Sequence, residues 1–273
     1  KAGLIAVVIN VLFNYLLIYG KCGLPALGIQ GAALATLLAR VVEFVICLVA
    51  ALRSRTIPLN LPCLLRPGIA MVRRFIRYAS PVIVNEILWG AGNSMMTVIL
   101  GHTHNSVEML AANAVTGNLS RLFLVVCFGL GAATAVIGGK AIGEGQSHEE
   151  VLSLSHCLLL FTVLLSCAIA AVALILLPTV FQPYIFPLFK LYGESAHIAT
   201  AFAVAAFVCM PFHAYSISAI VGVLRSGGDV TWATVLDVAP QWLIAIPVTA
   251  VLALVLQAGP FVIAFATHAE AAL

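Results

Sequence analysis

Long apolar segments, nearly free of charged side chains, follow one another from the start of this sequence to its end. Apolar residues make up 63% of the chain and charged residues only 8%, whereas a soluble domain carries about 25% charged residues. The apolar runs are continuous and do not alternate with polar residues, as the strands of a membrane barrel do. The sequence therefore predicts an all-α polytopic membrane protein.

A helix needs about 20 apolar residues to cross the hydrocarbon core of a bilayer. An eighth apolar segment begins at Gly259 and stops at the end of the chain, and the chain starts at Lys1 with a segment that already has nearly the length of a span. We therefore expect a fragment of a longer protein, with seven complete transmembrane helices and a truncated eighth. The seven predicted helices cover residues 2–19, 28–52, 79–101, 109–139, 151–178, 195–224 and 230–256.

Basic residues are concentrated in a proline-rich linker, residues 53–78, between the second and third predicted helices. Arginine and lysine in short loops stay on the cytoplasmic side of a membrane. We therefore expect the linker to be cytoplasmic and to separate two helical bundles. Its last part, residues 71–78, is either a headgroup-surface segment or a solvated loop. The net charge of +3 is then an orientation signal, and we expect no nucleic-acid partner. The linker contributes Arg53, Arg55, Arg66, Arg73, Arg74 and Arg77 to the inside, Lys1, Lys140 and Arg225 join them there, and Lys21 and Lys190 lie outside.

The first and seventh predicted helices are similar in sequence. Residues 8–16 and 235–243 share three identical positions, and Asn10 and Asn14 in the first match Asp237 and Gln241 in the second. The two helices lie six helices apart, so both cross the membrane in the same direction. This arrangement indicates a parallel duplication of a six-helix unit, as in transporters built from repeated bundles.

Four stretches of the sequence, in this order and spacing, are similar to those of a known family. They are residues 23–36, residues 111–116 with 138–145, residues 222–229, and Asp237 with residues 242–247. They resemble the multidrug and toxic compound extrusion (MATE) family along essentially the whole chain. In turn, they resemble that family's fifth-to-sixth-helix region, its eighth helix and exit loop, the loop between its tenth and eleventh helices, and its eleventh helix.

This resemblance implies a MATE-like architecture of two lobes and twelve helices. Residues 1–52 are then the last two helices of the amino-terminal lobe, and residues 79–273 form most of the carboxy-terminal lobe. The family's members are secondary antiporters in the cell (inner or plasma) membrane that exchange H⁺ or Na⁺ for organic, often cationic compounds. The resemblance thus implies multidrug efflux by a protein that is a monomer at full length, with small organic molecules and the lipid bilayer as its partners.

Charged residues inside the predicted helices are the strongest candidates for function, because an isolated charge near the bilayer centre is unfavourable. Arg40 and Glu43 are three residues apart, so we expect them to neutralise each other. Glu86 has no basic residue within a turn of its own helix and can hold either a cation or a proton. Its position resembles an acidic residue of the sodium-coupled MATE branch. Asp237 resembles a family acid that serves either helix packing or ion passage.

Neutral polar and aromatic residues near these acids are candidates for the lining of a substrate cavity. The second acidic residue of the sodium-coupled branch has no counterpart here, because Ala214 occupies that place beside His213 and Tyr215. Sodium coupling of that type is therefore in doubt, and the coupling ion stays open between H⁺ and Na⁺. The cavity candidates are Asn85, Trp89, Asn93, Asn113, Thr116, His213, Tyr215 and Gln241.

Other chemistry has no motif in this sequence. The seven cysteines form no C-x-x-C pair, and the sequence contains neither a nucleotide-binding loop nor a catalytic signature. We therefore expect no enzyme activity, no metal site and no cofactor. Two alternatives to drug efflux remain: a lipid-linked saccharide flippase of the same superfamily, which needs a more basic cavity, and a membrane scaffold or receptor that transports nothing.

Overall fold

The computed structural model describes residues 2–21, 25–53 and 68–272 of the chain. The chain divides into two compact units, residues 1–73 and 74–273. The described ranges contain eight helices, several with π-helical turns, and a short 3₁₀ helix, Ala269–Ala272. The eight helices are α1 (Ala2–Tyr19), α2 (Ile29–Arg53), α3 (Ile69–Gly101), α4 (Ser106–Gly143), α5 (His148–Leu188), α6 (Glu194–Leu224), α7 (Val230–Val255) and α8 (Pro260–Ala266).

The prediction of an all-α membrane protein is confirmed. Six helices, α2 to α7, are long and apolar enough to cross a membrane, and α1 is a shorter apolar helix. Where the sequence predicts a span from residue 79, helix α3 begins at Ile69 and continues through Pro81. Interior prolines are tolerated in membrane helices because neighbouring groups satisfy the freed carbonyls. Residues 54–67 of the predicted linker lie outside the described residues.

In the first unit, α1 and α2 pack through small residues. A Cβ atom added to Gly31 of α2 would lie 2.6 Å from the carbonyl oxygen of Leu17 in α1, so only glycine permits this approach. Lipid supplies no hydrophobic force between helices, and close backbone contact is what holds such pairs together. The predicted neutralisation within α2 is confirmed, because Arg40 Nη1 lies 2.6 Å from Glu43 Oε2.

In the second unit, α6 is the central helix. Its buried residues include six alanines, which let α4, α5 and α8 approach it closely. On one side, the rings of Phe123 in α4, Phe181 in α5 and Phe207 in α6 lie 5.4–6.2 Å apart between centroids. Tilted or edge-on aromatic pairs at this spacing add to the packing of a core. The core of the second unit thus joins α4, α5 and α6.

Wide π-helical turns interrupt α5, α6 and α7. In α7, the stretch Gln241–Ala245 directly follows Pro240. Proline has no N–H to donate to the carbonyl four residues back, so the ladder of helical hydrogen bonds is locally broken. At the end of α6, the π-helical stretch Ser218–Leu224 continues into Arg225, whose N–H donates to the carbonyl of Ile220 at 3.0 Å. Such turns re-aim the side chains that follow, and they recur at functional sites.

Capping residues define two helix starts. The Asp229 side chain accepts a hydrogen bond from the N–H of Trp232 at the start of α7, as its sequence position predicts. Ser147 and Glu150 form a reciprocal capping box at the start of α5. The Ser147 N–H donates to Glu150 at 2.9 Å, and this bond lowers the pKa of that exposed carboxyl group below its ordinary value.

Candidate functional site

A cavity of about 1230 Å³ lies within the second unit, between α3, α4, α6, α7 and the segment after α8. Drug-sized ligands occupy pockets of roughly 300–1,000 Å³, so this cavity has room for such a molecule. Seven of the eight cavity candidates line it, together with Glu86 and Asp237: Asn85, Trp89, Asn93, Asn113, Thr116, His213 and Tyr215.

Gln241, the eighth candidate, is located differently. Its side chain is 2% exposed and packs against Gly92 of α3 instead of lining the cavity. The wide turn after Pro240 begins at this residue. Because Gln241 is buried against α3, the prediction that it lines the cavity is corrected: it packs α7 against α3.

A three-residue charge cluster lies on the cavity wall, with Arg225 at its centre. Arg225 Nη1 lies 3.7 Å from Glu86 Oε1, and Arg225 Nη2 lies 3.5 Å from Asp237 Oδ2. The Arg225 side chain is 18% exposed, whereas that of Glu86 is 63% exposed. Glu86 has no basic partner on its own helix, as its sequence indicates, but Arg225 at the end of α6 reaches it. Arg225, which the sequence analysis counts only as a charge that sets orientation, thus also forms two ion pairs on the cavity wall.

Asn85 connects this cluster to the packing of the protein. It is 2% exposed, and its Nδ2 donates to Asp237 Oδ2 at 2.8 Å. The same carboxylate oxygen of Asp237 therefore faces both an amide and a guanidinium group. These two partners hold the Asp237 carboxylate in one orientation on the cavity wall.

Helices α3 and α7 lie side by side and run in the same direction. Thr234 Oγ1 lies 3.3 Å from the carbonyl oxygen of Pro81, and Trp242 Nε1 donates to the carbonyl of Leu88 at 3.1 Å. The contact between Asn85 and Asp237 falls between these two along both helices. Glu86 and Asp237 thus lie at the same level, each seven residues beyond the predicted start of its span at residues 79 and 230. At a rise of about 1.5 Å per residue, this is roughly 10 Å along the helix axis from those predicted starts.

We expect Gly92→Ala to displace the buried side chain of Gln241 on α7, because an added Cβ would lie 2.5 Å from its amide carbon. Overpacking of this kind destabilises by about 1–3 kcal/mol. The matched control is Gly90→Ala on the same helix, where nothing lies within 4 Å of the added atom. Thermal unfolding in detergent compares the two variants. Equal stability of Gly92→Ala and Gly90→Ala would contradict the close packing of Gln241 on α3.

A histidine pair that sequence reasoning missed lines the same cavity. His213 of α6 and His268, which follows α8, lie 3.2 Å apart between Nε2 and Nδ1. The sequence singles out His213 alone, because nothing in the spacing of residues 213 and 268 predicts that they meet. Glu270, also on the cavity wall, has a buried Oε2 without a hydrogen-bond partner among the described residues.

Arg121 of α4 is the other basic residue on the cavity wall. It forms no ion pair within the ranges that the structure describes, whereas Arg225 pairs with both Glu86 and Asp237. The cavity thus presents an ion-paired cluster between α3 and α7, and a guanidinium group on α4.

Comparison with known proteins places this geometry in a family. The MatE family model matches residues 81–251, the part of the chain that holds most of the cavity. YoeA of Bacillus subtilis, described as a probable multidrug resistance protein, is 28% identical over 257 residues, which cover 91% of this chain and 52% of YoeA. The multidrug resistance protein MdtK of Edwardsiella ictaluri is 26% identical over 94% of this chain and 55% of its own length. The chain therefore spans about half the length of these curated relatives.

Solved structures agree with the fold. The MATE transporter ClbM in complex with Rb⁺ matches with a TM-score of 0.74 and 18% identity, over 99% of this chain and 57% of ClbM. A transporter of the MOP superfamily from Pyrococcus furiosus matches with a TM-score of 0.78 and 17% identity, over 99% of this chain and 58% of its own. Sequence and fold lead to the same assignment: this chain belongs to the MatE family of multi-pass membrane transporters.

Proposed function

We propose that the complete protein exports organic, often cationic compounds from the cell in exchange for H⁺ or Na⁺, and that Glu86 and Asp237 hold the exchanged cation or proton. The observation that carries this proposal is the charge cluster, in which both carboxylates reach the wall of one large cavity and share Arg225. The names of the multidrug resistance relatives support the same activity.

Arg225 has a defined role in this proposal: it is a resident counter-ion for the two carboxylates. While both carboxylates are ionised, the guanidinium group 3.5–3.7 Å away offsets their charge. A proton on Glu86, or a bound cation beside it, weakens that attraction because the carboxylate charge is then already satisfied. The exchanged ion and the organic cation therefore compete with Arg225 for the same carboxylate. Competition of this kind prevents both from occupying Glu86 at once, as an exchange cycle requires.

The charge of the cavity favours a cationic substrate over a pyrophosphate-linked one. Three carboxyl groups and two guanidinium groups line it, which gives a formal charge of 2 − 3 = −1 when all five are ionised. Two of the carboxylates already face Arg225, so Arg121 alone is free to bind an anion among the described residues. A lipid-linked saccharide flippase needs several basic groups around a pyrophosphate. This observation supports the drug-efflux proposal.

The proposed arrangement in the cell follows the sequence expectations. The protein lies in the plasma membrane, with residues 53–78 in the cytoplasm between an amino-terminal lobe that ends near residue 52 and a carboxy-terminal lobe from residue 79. Arg225 and Lys140 lie on the same side as the linker in this arrangement. A cysteine introduced at an exposed linker position and labelled from one side of intact cells tests the orientation.

Reconstitution of the complete protein tests the proposed function directly. Vesicles loaded with ethidium are given either a proton gradient or a sodium gradient, and release of the dye is followed by fluorescence. Release that depends on one of the two gradients supports the proposal and identifies the coupling ion. Correctly inserted protein that releases the dye under neither gradient, and flips a fluorescent lipid-linked pyrophosphate instead, would favour the flippase. Protein that does neither would favour a scaffold or receptor.

A further inference from the structure

The two imidazole rings of His213 and His268 are in direct contact across the cavity wall. Their nearest nitrogens lie 3.2 Å apart, and the rings stand edge to face, with 5.4 Å between centroids and an interplanar angle of 85°. His213 belongs to α6, and His268 to the short segment that follows α8. The contact therefore links the central helix of the second unit to the end of the described chain.

Two imidazoles at this distance form a hydrogen bond only when one nitrogen carries a proton and the other offers its lone pair. When the pair takes up one more proton, both rings still share a proton across the contact, while the added charge spreads over two rings. A metal ion needs three or four protein ligands in such a site. No group of three or more histidine, cysteine, aspartate or glutamate residues stands close enough to hold a metal within the described ranges. The chemistry of the pair is therefore that of a proton site.

The charged groups on the cavity wall define the electrostatic surroundings of the histidine pair. Glu270 lies two residues after His268 in the sequence and has a buried oxygen without a hydrogen-bond partner in the described chain. Helix α5 contributes only Leu159 to the cavity wall, and Tyr215 of α6 is the neighbouring phenol. The other charged groups that face the cavity from the packed elements are Glu86 on α3, Arg121 on α4, Arg225 at the end of α6 and Asp237 on α7.

We propose that His213 and His268 form a second proton-binding site in this cavity, separate from Glu86, in which one proton is held between the two rings. Proton uptake adds a charge shared by the two rings and strengthens the link between α6 and the segment after α8. The site does not depend on the identity of the exported compound or on the coupling ion. It rests on the contact between the two rings in the cavity wall.

Histidine-selective ¹³C and ¹⁵N magnetic resonance of the complete protein in lipid nanodiscs tests the proposal. Coupled groups titrate as a pair, so replacing one ring alters the titration of the other by about one pH unit. We expect His268→Gln to move the titration midpoint of His213 by that amount, and His213→Gln to do the same for His268. The matched control is His197→Gln, an exposed histidine on α6 outside the cavity, which leaves both midpoints in place. An unchanged midpoint of the remaining histidine in both variants would overturn the proposal.

Wild-type protein provides a measurement that needs no variant. A scalar coupling between the facing ¹⁵N nuclei of the two rings is expected, because the shared proton joins them. A spectrum without this coupling at any pH between 5 and 8, the range in which histidine ordinarily changes charge, would also overturn the proposal. Addition of Zn²⁺ and of a chelator separates the alternatives: spectra that respond to micromolar Zn²⁺ would show a metal site instead.

The magnetic resonance results and the dye-release results are independent of each other. Coupled titration in a protein that releases no dye would leave the histidine site intact and remove the export proposal. Gradient-driven release together with histidines that titrate independently would remove the histidine site and leave the export proposal intact. A purely structural histidine contact predicts lower release at every pH in the two variants, whereas a proton site predicts a changed pH profile.

Discussion

Glu86→Gln is expected to slow gradient-driven release of organic cations, while the protein still inserts and folds. Glutamine keeps the shape of the side chain and its hydrogen-bonding oxygen, but it carries no charge and does not take up a proton near neutral pH. In the proposed mechanism, the exchanged ion and the substrate then lose the charged group for which they compete. We expect release to slow by at least about tenfold, which corresponds to roughly 1.4 kcal/mol. Initial rates of ethidium release from reconstituted vesicles give the measurement.

The matched control for this variant is Glu149→Gln, in the exposed first turn of α5 and outside the large cavity. It removes one carboxylate in the same way but is expected to leave the release rate unchanged. Thermal unfolding separates loss of transport from loss of structure, because the Glu86 side chain is 63% exposed and its pair with Arg225 adds little stability. Release by Glu86→Gln at the wild-type rate would remove Glu86 from the exchange mechanism.

The sequence correctly predicts those structural features whose physical cause lies within a single helix. The apolar runs locate the helices because a membrane span has a fixed length, and the charges three residues apart predict the pair between Arg40 and Glu43. The cap at Asp229 follows from its place before an apolar run. The start of α3 is missed because the basic residues at 73, 74 and 77 suggest a surface segment or a loop, yet a helix can continue beyond the membrane with such residues in its first turns.

The candidate site is only partly predictable for a physical reason: its contacts join residues that are distant in the sequence. The composition of the helices predicts that Glu86 and Asp237 are candidates for function, because charged residues are rare in membrane spans. It does not predict that the Arg225 side chain reaches both carboxylates. The wide turn at the end of α6, where the Arg225 N–H bonds to Ile220, places this side chain between α3 and α7. The meeting of His213 and His268 depends on tertiary packing in the same way.

Arg225→Gln is expected to destabilise the protein and to stop transport, because it leaves two neighbouring carboxylates without their counter-ion. Removing one partner of a fully buried ion pair costs about 3–5 kcal/mol. Glu86 and Asp237 are partly exposed, so we expect the loss here to be smaller, roughly 1–3 kcal/mol after screening by solvent. Thermal unfolding in detergent measures it. Lys140→Gln, which removes a basic residue from an exposed pair with Glu144, is the control and is expected to change stability by less than about 0.5 kcal/mol.

A second substitution tests whether charge balance is the cause. Asp237→Asn in the Arg225→Gln background removes one of the uncompensated carboxylates while keeping an oxygen that accepts from Asn85. If the cluster is held together by its charges, the double variant is more stable than Arg225→Gln alone, because neighbours that share a partner do not add independently. Arg225→Lys keeps the charge but not the two-pronged guanidinium, and it should fall between wild type and Arg225→Gln. Additive losses in the double variant would mean that Arg225 stabilises the end of α6 by packing alone, and that Glu86 and Asp237 function without it as a resident counter-ion.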